Sequence, residues 1–355
     1  MFVIEKLILA RKLRGKSKKD LADSLNIAQK TLSEWETGKA VPKYENIQQV
    51  AEFLKFPIEF FYTDEDFKMQ VENISFRALS RLSASDRDKA IANLNIASLI
   101  NKWVDKHFNL PQIQLPNMAG YGPVEAAKII RQEWNLEECI NNTIHILEQH
   151  GVRVYSLIEI CNDYDALSKW FDEVPFIVLK PTKTSERSRF DAMHELGHLV
   201  LHRNKANRDK SIEDEANQFA SEMLMPEESI KKHIPDIPSL ANFIQYKKLW
   251  KVSLQAIMYR YNKLGLISDW VYRSLYLQSK KWGYDKKEPE PIEKETSTVF
   301  KSIFKFLKED NKTLQNISNE ISIPEEDLNR LMFSPYSVSL IKGDITGEKR
   351  TIELL

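Results

Sequence analysis

Residues 188–202 read SRFDAMHELGHLVLH, and His194-Glu195-Leu196-Gly197-His198 within them form an HExxH pattern. On an α-helix, residues four apart share a face, so His194 and His198 can present both imidazoles to one metal ion. Glu195 follows directly, where its carboxylate can take a proton from a metal-activated water. Five residues alone arise often by chance, and the flanks add the weight. Phe190, Met193, Leu196, Leu199 and Val200 lay an apolar stripe at helical spacing. The helix is therefore partly buried, and buried histidines need partners.

Downstream, residues 211–226 read SIEDEANQFASEMLMP. Ala216, Phe219, Ala220, Met223 and Leu224 make this a second amphipathic helix, and its acidic residues offer a third ligand. Glu215 is the first choice, Glu213 and Glu222 are fallbacks, and Asp214 reads as solvated. Two histidines and a glutamate leave a fourth zinc position open, as a catalytic site requires. His202 continues the i, i+4 series but is turned about 80° from His194, so it reads as a supporting histidine and not a ligand. Upstream, residues 123–134 and 140–150 read as helices, the latter closed by Gly151. Residues 152–157 and 175–179 read as strands. A strand running before the metal helix offers an exposed edge on which an extended substrate backbone can pair.

The chain of 355 residues holds two or three domains' worth of sequence. Its 51 basic and 51 acidic residues balance, so any nucleic-acid binding must be local. Two cysteines, Cys139 and Cys161, provide neither a disulfide framework nor a thiolate metal site; they read as small core residues of a protein in a reducing cytosol. The start, MFVIEKLILARKLRGK, is interrupted by Glu5 and Lys6 and lacks a cleavage site, so it is not read as a signal peptide. No run of about 18 apolar residues occurs. The expectation is a soluble cytoplasmic protein with no membrane span.

Residues 1–65 read as a bundle of short helices. Ser17 is the expected N-cap of a helix carrying Leu21 and Leu25, residues 26–27 make a turn, and a third helix carries Leu32 and Trp35 before Gly38 and Pro42. Leu21, Leu25, Ile27 and Leu32 have helix-turn-helix spacing. The run KKDLADSLNIAQKTLSEWETGKAVPKYENIQQVAEFL resembles the Cro/repressor-type (XRE) helix-turn-helix family. That resemblance implies a recognition helix over residues 28–34. On it, Gln29, Lys30 and Ser33 are the expected base readers, with Thr31 a weaker one. Lys18, Lys19, Lys39 and Lys43 are the expected phosphate contacts. The same bundle can also serve as a protein-docking or dimerisation module.

Residues 66–122 read as a helical connector, in which residues 89–107 form one long amphipathic helix that is a spacer, a dimer seam or core. Residues 123–285 read as a metallopeptidase domain of the α+β kind with a small sheet, and here RFDAMHELGHLVLH, EANQFASEMLMP, GVRVYSL and PFIVL resemble the ImmA/IrrE family of metallopeptidases. The resemblance implies a gluzincin-like fold. It also implies a Zn2+ ion on His194, His198 and Glu215, and Glu195 as general base and acid. Members with a fused Cro/repressor-type domain imply cleavage of a transcriptional repressor. The alternative from the same resemblance is a DNA-binding regulator, or antitoxin-like autoregulator, whose metal domain senses rather than cleaves.

Tyr259, Tyr261, Trp270, Tyr272, Tyr276 and Trp282 read as packing of terminal helices, and residues 280–295, charged and with two prolines, as a linker. In residues 296–355, Ile317, Ile321, Ile323 and Leu328 stand 296 positions after Leu21, Leu25, Ile27 and Leu32. This predicts a second helix-turn-helix-like bundle, whose acidic third helix suits a protein contact better than DNA. Residues 338–354 read as a terminal strand pair. The whole is expected to be multidomain and mainly α, with DNA and a protein substrate as partners and a homodimer as a possible state.

Overall fold

Five N-terminal elements pack as the spacing predicts: α1 (Ile4–Leu13), α2 (Lys18–Ser24), α3 (Gln29–Glu36), α4 (Tyr44–Leu54) and a 3-10 turn (Ile58–Tyr62). The computed structural model describes residues 1–63, 66–70, 83–158, 165–203, 210–333 and 350–352. Ser17 caps α2 through a capping box, accepting from Asp20 N at 3.1 Å while Asp20 Oδ2 accepts from Ser17 N at 2.8 Å. Asn26 takes a left-handed conformation at the turn, with φ 52°. Leu21, Leu32 and Trp35 lie in the core.

The expected connector helix is α5 (Ala84–His107), and it is neither spacer nor seam. Residues 90–97 are buried on every side, as befits a helix at the centre of a core. Leu7, Leu21 and Trp35 of the first bundle belong to one continuous apolar cluster with Ile96 and Ile100 of α5. The same cluster takes in Tyr155, Phe176 and Val178 of the sheet and Ile303, Ile317 and Leu328 near the C-terminus. A fully buried Leu or Ile contributes about 1.5–3 kcal/mol, so these regions are bound together rather than tethered.

The sheet has three strands, β2 (Arg153–Ser156), β3 (Ala166–Phe171) and β4 (Val174–Leu179), in the order β2-β4-β3. A two-residue strand, β1 (Phe108–Asn109), precedes them at the end of α5. β2 runs parallel to β4, with Val154 opposite Ile177, and β3 returns antiparallel through a tight turn at Asp172, φ 52°. The strand that leads into the metal helix is thus the central one, with both edges occupied. It cannot accept a substrate strand, contrary to expectation. Among the described residues, the outer edge of β3, a strand the sequence reading missed, pairs with no other strand.

Behind the sheet lie α6 (Pro123–Glu133), α7 (Thr143–Gln149), α8 (Ser185–Leu201) and α9 (Lys210–Leu224), followed by α10 (Glu227–Ile230), α11 (Leu240–Trp250), α12 (Leu254–Lys263) and α13 (Asp269–Lys281). Val154, Ile177 and Leu179 on this face of the sheet meet Met193, Leu196 and Val200 of α8 and Phe219 and Met223 of α9 in a second core. The architecture is therefore helical at both ends, with a small mixed sheet between two apolar layers.

Two expectations change. Residues 280–295 do not form a loose linker: Glu288 accepts from Leu254 N at 3.1 Å, Ile292 N donates to Glu186 at 3.2 Å, and Glu295 binds Arg189 and, at 2.8 Å, Thr143 N. Of the clustered aromatics, Tyr261 is core and donates to His233 O at 2.7 Å, whereas Trp270, Trp282 and Tyr259 are exposed. The terminal strand pair falls mostly outside the described residues. Its described part, β5 (Arg350–Thr351), pairs in parallel with β1. Cys139 is half-buried, and burial raises its thiol pKa; Cys161 lies outside the described residues. No helix among the described residues is long and apolar enough to cross a membrane.

The C-terminal bundle comprises α14 (Thr298–Glu309), α15 (Leu314–Ile321) and α16 (Glu325–Leu331). The 296-residue offset extends well beyond the four apolar positions. Thr313 and Asn316 form a capping box at the positions of Ser17 and Asp20. Ser322 and Asn311, with φ 57° and 55°, repeat the left-handed turns of Asn26 and Gly15. Asp327 on α16 is buried and receives both arms of Arg14, at 2.9 and 2.6 Å. The acidic helix makes a protein contact, and the protein is this chain's own N-terminal bundle.

Candidate metal centre

Two long helices set the site. Thr184 caps α8, accepting from Arg187 N at 3.3 Å. Buried pairs hold the first turns: Lys247 lies 3.0 Å from Glu186, and Arg189 binds Glu295 while donating to Ile140 O at 2.6 Å and Lys251 O at 2.9 Å. Buried charges are tolerated only when paired in this way. α9 packs closely against the middle of α8 because Gly197 has no side chain. A Cβ there would lie 3.0 Å from the Phe219 ring and 3.4 Å from Ala216 Cα.

That packing sorts the three consecutive acids of α9. Glu213 and Asn217 stand one turn apart on one flank of its apolar stripe, and Glu215 lies roughly 200° round from Glu213. The Nε2 atoms of His194 and His198 come within 3.0 Å of each other. Glu213 Oε2 lies 3.4 Å from the first and Oε1 lies 3.5 Å from the second. Donor atoms of His194, His198 and Glu213 all fall within 4.8 Å of one another. Glu215, the expected third ligand, is not in this group; its Oε2 meets His202 Nε2 at 2.8 Å. Glu222, the other fallback, is fully buried in a pair with Arg260 and accepts from Glu227 N at 3.2 Å.

Both imidazoles are oriented from behind. His194 Nδ1 lies 3.1 Å from Asn217 Oδ1, an acceptor, so the ring donates there and leaves Nε2 as the lone-pair nitrogen. His198 Nδ1 lies 3.0 Å from His202 Nδ1. Two Nε2 atoms and a carboxylate converging on one point form a donor set suited to a divalent ion such as zinc. Glu195, next to His194 in the chain, is buried, and Ser168 on β3 donates to its Oε2. Trp170, two residues along the same strand, donates to Leu199 O at 3.1 Å and fixes β3 against α8. Sequence reasoning missed Ser168 and Asn217. The second had a visible signal: it follows Glu213 by four residues, on the same flank of the helix.

At the other end of the chain, Gln29 and Lys30 are exposed at the start of α3, with Thr31 and Ser33 half-buried beside them. Lys19, Lys39 and Lys43 are exposed. Lys18 differs, because its ammonium turns toward Glu36 at 3.1 Å, a carboxylate already held by Arg11 at 2.6 and 3.0 Å. It is less available to a phosphate than the other three.

Comparison with known protein families gives two matches. Residues 147–262 match the peptidase M78 family, described as the IrrE N-terminal-like domain, and residues 7–61 match a helix-turn-helix family. The first spans β2 to α12 and contains His194, Glu195, His198, His202, Glu213, Glu215, Asn217 and Ser168, but not the supporting Ile140 and Glu295. The chain thus carries an IrrE-like peptidase-family domain behind a helix-turn-helix domain. No curated protein matches the chain.

Proposed function

We propose that this protein is a zinc-dependent endopeptidase that cleaves a protein substrate, a transcriptional repressor being the class expected, with α3 bringing it to DNA. The observation that carries this reading is the convergence of His194, His198 and Glu213, with Glu195, the residue after His194, held by Ser168. Glu213 replaces Glu215 as the third ligand, since the α8–α9 packing turns it toward both Nε2 atoms. His194, His198 and Glu213 would hold a zinc ion, which when bound would supply Lewis acidity for activating a water and a peptide carbonyl.

The chain's own residues supply the rest. The Glu195 carboxylate takes a proton from the attacking water and delivers it to the departing amine. Ser168 holds that carboxylate through Oε2, so its orientation is set before substrate arrives. Burial of Glu195 and His198 keeps the proton transfer away from bulk water. Gln29, Lys30 and Ser33 read base edges, and Lys39 and Lys43 hold phosphates.

The test is terminal labelling of a host proteome treated with zinc-loaded protein. New N-termini that require zinc and vanish with Glu195→Gln are expected. Cleavage that persists in Glu195→Gln would sink the mechanism. DNA fragments retained with no new termini would favour the non-cleaving regulator.

A further inference from the structure

We infer that His202 and Glu215 form a relay that fixes the tautomer and orientation of His198, so that Glu215 is a positioning residue. The inference deepens the zinc reading above and gains its functional meaning from it, although the relay's geometry stands without metal. Its direction follows from the end of the chain of contacts. A glutamate carboxylate only accepts, so His202 Nε2, 2.8 Å away, carries a proton and donates it. A neutral His202 then has a bare Nδ1. That nitrogen, 3.0 Å from His198 Nδ1, accepts from it. A neutral His198 with its proton on Nδ1 has its lone pair on Nε2, which faces His194 Nε2 at 3.0 Å and Glu213 Oε1 at 3.5 Å. Three residues thus settle which nitrogen of a buried ring is bare.

The placement explains why α9 carries carboxylates on both flanks. Glu213 approaches the imidazoles from one side with Asn217 behind it, and Glu215 closes on His202 from the other. Each histidine thereby receives its own support from α9: Asn217 at His194 Nδ1, and Glu215 through His202 at His198 Nδ1. His202 is buried, whereas the Glu215 side chain is 37 % exposed, so the carboxylate can be removed with little disturbance to packing. Supporting groups of this kind change metal affinity by roughly 10- to 100-fold.

The experiment uses the full chain in two forms. Metal-free protein labelled with 15N at its seven histidines reports each ring's tautomer by long-range 15N–1H correlation. It is recorded near pH 8, above the ordinary histidine pKa of about 6.5. Zinc affinity is measured separately, by competition with a chromophoric chelator. His198 is expected protonated at Nδ1 in the parent protein. Glu215→Ala should mix its tautomers and weaken zinc roughly 10- to 100-fold at unchanged stoichiometry. Glu215→Gln, whose amide oxygen still accepts, should restore most of both.

An unchanged His198 tautomer in Glu215→Ala would overturn the relay whatever the zinc result. Complete loss of zinc in Glu215→Ala, with retention in Glu213→Ala, would also overturn it and make Glu215 the ligand. The expected tautomers in a parent protein that takes up no zinc would support the relay and remove the metallopeptidase reading.

Discussion

The N-terminal and C-terminal bundles share a frame of three helices and present different surfaces. Their common positions are those that build the frame: Leu21 and Ile317, and Leu32 and Leu328, in the cores, the half-buried Ile27 and buried Ile323 packed against them, capping boxes at Ser17 and Thr313, and left-handed turns at Asn26 and Ser322. The positions that differ lie on the third helix. Gln29, Lys30 and Thr31 correspond to Glu325, Glu326 and Asp327. One helix begins with exposed residues suited to base edges and phosphates. The other is acidic and uses the counterpart of Thr31 to grip Arg14. The frame specifies the fold, and on the proposed reading three side chains decide whether the same helix faces DNA or the interior of its own molecule.

The comparison breaks most sharply at Arg14. Arg14→Ala leaves the Asp327 carboxylate, 4 % exposed, without its bidentate partner. Removing one member of a buried pair costs about 3–5 kcal/mol, and urea unfolding should report a loss of that size. Arg14→Met with Asp327→Leu should recover most of it. An unchanged midpoint in Arg14→Ala would mean that the two bundles are not clamped.

A smaller effect separates the two helices by function. Gln29→Ala should weaken specific DNA binding by about 1–3 kcal/mol, whereas Glu325→Ala should leave it unaltered in the same anisotropy titration. Lys39→Ala and Lys43→Ala should each reduce the slope of log affinity against log salt by about 1. Equal sensitivity of both helices would remove the distinction.

The frame itself should respond alike at both ends. Ser17→Ala and Thr313→Ala each lose an N-cap, at a cost of about 1 kcal/mol, measurable by thermal melting. A finer contrast appears with acid. Hydrogen bonds from the Ser17 side chain and backbone lower the pKa of Asp20 from its ordinary 3.8, while its counterpart Asn316 does not titrate. A carboxylate depressed in the folded state stabilises above its unfolded pKa and loses that contribution as pH falls through the folded value. Between pH 3.8 and the lower folded value, amide protection in α2 should fade while that in α15 does not. Loss at both ends together would refute the assignment.

Much of this was legible from periodicity. The N-terminal bundle, the metal helix and α9 all declare themselves through apolar spacing and caps, and the repeat of α2 and α3 in α15 and α16 follows from four apolar positions. Less was legible where partners are distant. β3 has no clean alternation, since residues 166–169 are all buried, and its turn at Asp172 lacks the usual glycine or asparagine. Without β3, the central place of β4 was invisible, and so was Ser168. Glu213, Asp214 and Glu215 are equivalent in composition. Only the approach of α9 at Gly197 distinguishes them. Residues 280–295 look like a linker because their glutamates find Arg189 and Lys247, about which local sequence says nothing.

The Arg14–Asp327 pair joins residues 313 positions apart, and synthesis is directional. At about 5–20 residues per second, roughly 15–60 s separate the emergence of the arginine from that of its aspartate. During that interval the N-terminal bundle exists without its clamp. A nascent chain is therefore a looser molecule than the finished one, and translation of α16 is the step that completes the beginning of the protein.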